Sequence, residues 1–214
     1  VGTDLLYAAA TKTVGAAVHG LRGMIEWRIV RRLAAGSVPG AVLTLLLLRH
    51  AGVHSTSAQH VLSVTLGAAL LLTAASLLFR PWIAAYAARR WRSPSPRQEG
   101  GLTLATGLVL GVLVSLTSVG AGALGVTVLL LLYPRLPTAR IVASDIAHAV
   151  PLTLVAGAGH WLLGTIDVSL LGSLLAGSVP GVVIGSTLAG LIPELVLRPL
   201  LAVTLLAAGG SLVW

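Results

Sequence analysis

The chain has 214 residues, 56% apolar and only 9% charged, and its mean hydropathy is +0.97. A soluble domain of this length cannot hide so much apolar surface, so the solvent around most of it is lipid, and its excess of basic over acidic residues (14 against 6) is not a nucleic-acid footprint. There is no cysteine, which excludes disulfides, thiolate metal sites and thiol relays.

In chain order the apolar spans run over 3–20, 34–49, 60–79, a long stretch at 102–133, then 141–163, 168–190 and 197–214. Several fall short of the roughly 20 residues that a perpendicular helix needs, so thin or interrupted spans are expected. The chain opens with Val1 directly in apolar sequence and shows no signal-peptide pattern, so the native beginning is expected further upstream. Arg22, Arg28, Arg31 and Arg32 follow the first span, and Arg80, Arg89, Arg90, Arg92 and Arg97 follow the third. Beside apolar spans such runs mark cytoplasmic loops. Residues 83–101, rich in Arg, Pro and Gly, read as a basic cytoplasmic linker between a first transmembrane repeat, 1–82, and a second, 102–214.

Laid on itself at a shift of 141 residues, which places Asp4 on Asp145, the chain matches from Val1–Ala41 to Val142–Val182 without a gap. His19 falls on His160, Gly23 on Gly164, Glu26 on Asp167, and the run Ala35–Gly40 on the identical Ala176–Gly181. Internal duplication is therefore the main architectural signal. The loop after the first span carries four arginines and its mate around Gly164–Asp167 none, which puts the two loops on opposite faces and makes the repeats inverted. That requires 102–133 to enter and leave on one side. The break at Ser118-Val119-Gly120-Ala121-Gly122 permits it, dividing the stretch into two pieces too short to cross comfortably and keeping Arg135 and Arg140 inside. A single broken span would instead give parallel halves with those two arginines outside, and loop charge favours the hairpin. The expected fold is an all-α polytopic membrane protein of two inverted-topology helical repeats, with a broken, re-entrant hairpin at 102–133.

The Ser-Val-Gly-Ala-Gly break, the Val142-Ala143-Ser144-Asp145 run after a short basic loop, the His160-x-x-x-Gly164-x-Ile166-Asp167 loop and the duplicated Gly-Ser-Val-Pro-Gly resemble the sulfite exporter TauE/SafE family. The second half resembles it over about 100–214 and the first over about 1–82. The resemblance implies export or uptake of small sulfur-containing and carboxylate anions such as sulfite and organosulfonates. It also implies a glycine-rich broken element opening each half. Only the second half shows one here; by the repeat its counterpart would precede Val1, so roughly forty residues are expected there.

A carrier for a small oxyanion needs positive potential at mid-membrane, and the freed N–H groups at a broken helix supply it. Ser118, Gly120 and Gly122 are placed for that role, though small residues also serve a kink or a close helix crossing. Thr3 and Ser144, equivalent by repeat, match the family's Gly-Thr/Ser position and are expected to donate hydroxyls to the same anion. Asp4 and Asp145 are carboxyls inside apolar spans, costly there and suited to exchanging a proton, with His148 on the same helix face as Asp145. Lys12 lies in mid-span, and at helical spacing it shares a stripe with Asp4 and His19. Snorkelling of Lys12, and interfacial hydrogen bonding by His19 and His160, are the plainer readings. His50, His54 and His60 match no common zinc spacing, and neither metal nor cofactor is implied. Gly36 with Gly40, and Gly177 with Gly181 and Gly185, suit close helix packing; Pro39 and Pro180 suit a bend.

The sequence thus points to a multi-pass inner-membrane transporter of small anions, working by alternating access with proton coupling through Asp4 and Asp145. Its partners are the anion and the bilayer, with no nucleic acid, and a homo-oligomer is compatible. A membrane subunit docking a soluble protein through its basic linker is the alternative. An intramembrane enzyme is the weaker one, since no Gly-x-Ser-x-Gly or His-Glu-x-x-His pattern occurs.

Overall fold

The computed structural model describes residues 1–51, 56–90, 95–119, 122–189, 203–204 and 206–210. Among the described residues every element is an α-helix: α1 (Gly2–Leu21), α2 (Trp27–Ala51), α3 (Thr56–Arg90), α4 (Pro96–Thr117), α5 (Ala123–Leu132), α6 (Thr138–Leu162) and α7 (Val168–Ala189). Stretches of α2, α4 and α6 are each long and apolar enough to cross a membrane: Trp27–His50, Arg97–Thr117 and Thr138–Leu162.

The two hairpins α1–α2 and α6–α7 end their first helices in the same way. Gly23 and Gly164 take positive φ of 62° and 70°, a conformation that costs glycine little. In the first turn Gly23 N–H donates to Gly20 O and Met24 N–H to His19 O; in the second Gly164 N–H donates to Trp161 O and Thr165 N–H to His160 O. Both are Schellman stops at repeat-equivalent residues.

Helices α1 and α6 pack antiparallel. A Cβ on Gly2 would meet His160, one on Gly15 would meet Ile146, and one on Gly157 would meet Leu6. Cross-hairpin contacts are exchanged in pairs. Glu26 N–H donates to Ser144 Oγ at 2.8 Å, and Asp167 N–H donates to Thr3 Oγ1 at 3.1 Å, each the repeat image of the other.

The break at 118–122 separates a long helix from a short one. Ser95 and Gln98 form a capping box, with Pro96 in the first turn, so α4 starts six residues before the apolar stretch and reaches 22 residues, about 33 Å. The expectation of two pieces both too short to cross is corrected accordingly: the polar start counted as solvated linker supplies the missing turns. Only α5, at 10 residues or about 15 Å, is a half-span. The Thr103 hydroxyl meets the Tyr133 hydroxyl at 2.7 Å, so the start of α4 and the end of α5 share one end of the bundle. Arg28, Arg32, Arg135 and Arg140 lie there too, through contacts of Arg28 with Glu99, Arg32 with Tyr133 and Arg140 with Glu26.

Helices α2 and α4 touch backbone to backbone. A Cβ on Gly36 would collide with the Leu104 carbonyl oxygen, on Gly107 with that of Leu33, and on Gly111 with that of Ser37; at Gly40 it would sit 2.7 Å from Leu108 O. Small residues let lipid-facing helices approach this closely. Among the described residues nothing lies within 4 Å of a Cβ on Gly177, the repeat mate of Gly36; Gly181 and Gly185 lie outside the side chains described. Gly36→Val is expected to cost at least the 1–3 kcal/mol typical of overpacking, read as a lower thermal midpoint in detergent. Gly177→Val is expected to move the midpoint far less, and equal losses would contradict the asymmetry.

Candidate functional site

The centre of the bundle carries one polar cluster, and α6 supplies its core. Asp145 and His148, three residues apart on one helix face, are 1% and 0% exposed. Ser37 of α2, also buried, places its Oγ 2.8 Å from His148 Nε2. Lys12 of α1 is partly buried, and its charge acts on both Asp145 and His148. It closes no ion pair with Asp145 within 4.0 Å.

The half-helix α5 begins against this cluster. Gly122 is its N-cap without a side-chain cap, and the first intrahelical bond is Val126 N–H to Gly122 O, so the N–H groups of residues 123–125 have no partner within the helix. Asp145 Oδ1 lies against Gly125 so closely that any Cβ there would collide with it. The carboxyl thus sits at the positive end of a helix dipole and within electrostatic reach of a lysine. Among the described residues, Asp145 Oδ1 and His148 Nδ1 are nevertheless buried without a hydrogen-bond partner. A buried unsatisfied polar group costs about 1–3 kcal/mol, and more if charged, which a resting scaffold would have no reason to keep.

Apolar clusters flank the polar one on both sides. Towards the arginine-rich end lie Ile29, Leu33, Val126, Leu129, Leu132 and Ile141; towards the other lie Leu5, Ala41, Val114, Ala149, Leu152 and Ala156.

Of the residues singled out in the sequence, Asp145, His148, Lys12 and Gly122 converge here. Ser118 takes a left-handed conformation (φ 56°) as the C-cap of α4, roughly two helical turns beyond Gly111, which packs on Ser37. Gly120 lies outside the described residues. Thr3 and Ser144 sit at opposite ends of the bundle, each holding the other hairpin's loop, so the structure does not bring them to one point. The Asp4 side chain is 57% exposed, at the end opposite the arginines, and does not join Asp145. His19 keeps a buried, unpartnered Nδ1; His160 contacts the Ser115 carbonyl and the Thr165 hydroxyl at 2.9 Å each. His50 donates to Leu46 O of its own helix, whereas His54 and the side chain of His60 lie outside the described set. The sequence gives no sign of Gly125, whose role depends on a residue 20 positions away, and it sets Lys12 on one stripe with Asp4 and His19, whereas in the fold its charge acts on Asp145.

An apolar helical bundle with a half-helix end and buried ionisable groups, unpartnered among the described residues, belongs to the class of membrane transporters. A family model for the sulfite exporter TauE/SafE matches residues 1–212. The "Probable membrane transporter protein YjnA" of Bacillus subtilis (strain 168) is 34% identical over 176 residues, covering 82% of this chain and 69% of that protein. No solved structure matches. The chain belongs to the sulfite exporter TauE/SafE family of membrane transporters.

Gly125→Leu is expected to displace the Asp145 carboxyl while leaving the helices in place. In reconstituted vesicles it should cut flux at least tenfold, with helical circular dichroism unchanged. Flux like that of the unmodified protein would show that Asp145 needs no fixed position.

Proposed function

We propose that this protein exports small anions, sulfite or related sulfur-containing or carboxylate anions, across the cell inner membrane by alternating access with proton coupling. The observation that carries the reading is Asp145, buried against the first turn of α5 with an oxygen unpartnered among the described residues and within electrostatic reach of Lys12. The positive potential that holds this carboxylate is the potential an oxyanion would use. Carboxylate and anion therefore compete for the same N–H groups and ammonium, and protonating Asp145 removes the competitor. Binding of anion and proton together follows from that exclusion. His148 is steadied by Ser37 and stands one turn away as a second acceptor for the proton.

The antiparallel α1–α6 pair and the reciprocal Thr3–Asp167 and Ser144–Glu26 contacts support two inverted halves that rock about the α1–α6 seam. The apolar clusters on both sides support reading this conformation as an occluded stage of that cycle. The arginine-rich end is cytoplasmic in this reading.

Purified protein in vesicles is expected to move sulfite faster when a proton gradient is imposed in the direction of sulfite movement than without one, since anion and proton cross together. Asp145→Asn should flatten the pH dependence of flux while keeping residual exchange of anion for anion. Failure to move every sulfur oxyanion and short carboxylate offered would sink the reading.

A further inference from the structure

At the arginine-rich end, the starts of α2 and α4 and the turn between α5 and α6 enclose a cavity of about 240 Å3 lined by Glu26, Arg28, Glu99, Tyr133 and Arg135. Its charges are unevenly matched. The Glu26 carboxylate accepts from Arg140 at 2.6 Å, Glu99 lies 3.9 Å from Arg28, and Arg135 has no ion pair among the described residues. At 3.9 Å the Arg28 guanidinium is outside direct hydrogen-bond reach of its acid. The Tyr133 hydroxyl is already taken up by Thr103 at 2.7 Å and Arg32 at 3.4 Å. What the lining leaves uncommitted is Arg135, together with Arg28 and Glu99, whose 3.9 Å pairing is open to competition by an anion.

This cavity is wired to the central cluster. Ile29 belongs both to its wall and to the apolar layer that separates it from Asp145. Glu26 is held twice, its carboxylate by Arg140 and its N–H by the hydroxyl oxygen of Ser144, the residue before Asp145 in α6. The far end is built differently. There the repeat-equivalent acid, Asp167, accepts from Leu170 N–H at 2.9 Å within its own hairpin, and no ion pair ties it to another element among the described residues.

We propose that this cavity is a second anion subsite, an outer vestibule in which Arg135 and Arg28 capture a small oxyanion before the Glu26–Arg140 pair releases and admits it to the centre. The proposal rests on the anion-transport reading above. A captured anion competes with Glu99 for Arg28 and raises negative charge beside Glu26, which weakens both pairs that tie the start of α2 to α4 and α6. Since, among the described residues, ion pairs tie separate helices together at the arginine-rich end and not at the other, capture is one-sided, and so is its kinetic signature.

The test is sulfite transport in vesicles of neutral lipid, offered separately from each face. A Leu21→Cys substitution, the single cysteine in the chain, allows an impermeant thiol reagent to report orientation. Arg135→Gln is expected to raise KM for sulfite at the arginine-rich face about three- to tenfold, in the range of electrostatic capture, with kcat and the KM at the other face unchanged. The effect should shrink in roughly 0.5 M inert salt, where exposed charges are screened. Glu26→Arg and Arg140→Glu should each slow transport, and the double exchange should restore much of it. KM shifts equal at both faces, or none, would overturn the proposal. So would an effect seen only in vesicles containing phosphatidylglycerol, which would assign the cavity to a lipid phosphate. An unmodified protein that moves no anion at all would instead overturn the transport reading itself.

Discussion

A carboxyl group buried among apolar helices, with an oxygen left unpartnered among the described residues, is the constraint on which the rest of this structure turns. Asp145 can be tolerated there because α5 begins at the same level, offering N–H groups and a dipole, and because Gly125 presents no side chain to push it away. Neither feature acts alone. A continuous helix through 118–122 would have spent its N–H groups internally, and a side chain at 125 would have occupied the space of the Asp145 oxygen. The break is thus a device for placing backbone dipoles at a depth where no solvated charge is stable.

Such placement demands a stiff frame. The α2–α4 contact provides it by interlocking glycines with carbonyl oxygens, which fixes Gly111 of α4 against Ser37 and hence against His148. The α1–α6 pair plays the complementary part. Lys12 comes from one hairpin and Asp145 from the other, so any shift along that seam changes the distance between the two charges. Motion and electrostatics are coupled at this seam because the cluster straddles it.

Much of this is legible in the chain. Hydropathy and charge point to the lipid environment, the 141-residue repeat to the matching hairpins and their glycine stops, and Asp145, His148 and Lys12 stand out as ionisable groups in apolar sequence. The features that differ from expectation share a cause. The capping box at Ser95–Gln98 reads as linker when polarity outweighs spacing, though the spacing is a helix-start signal. Thr3 and Ser144 are expected together because they are equivalent by repeat, whereas antiparallel packing carries equivalent residues to opposite ends. Gly125 and the charge cavity leave no periodic trace, because each is defined by a neighbour distant in sequence.

The exchanged contacts carry an implication for how the two hairpins recognise each other. Because Thr3 grips Asp167 while Ser144 grips Glu26, each hairpin presents to its copy the surface that its copy presents to it. A lone hairpin with that surface would recognise a second copy of itself across a two-fold axis, a closed pair that needs no linker. The two copies in this chain differ in their acids: Asp145 is buried, whereas the Asp4 side chain is 57% exposed.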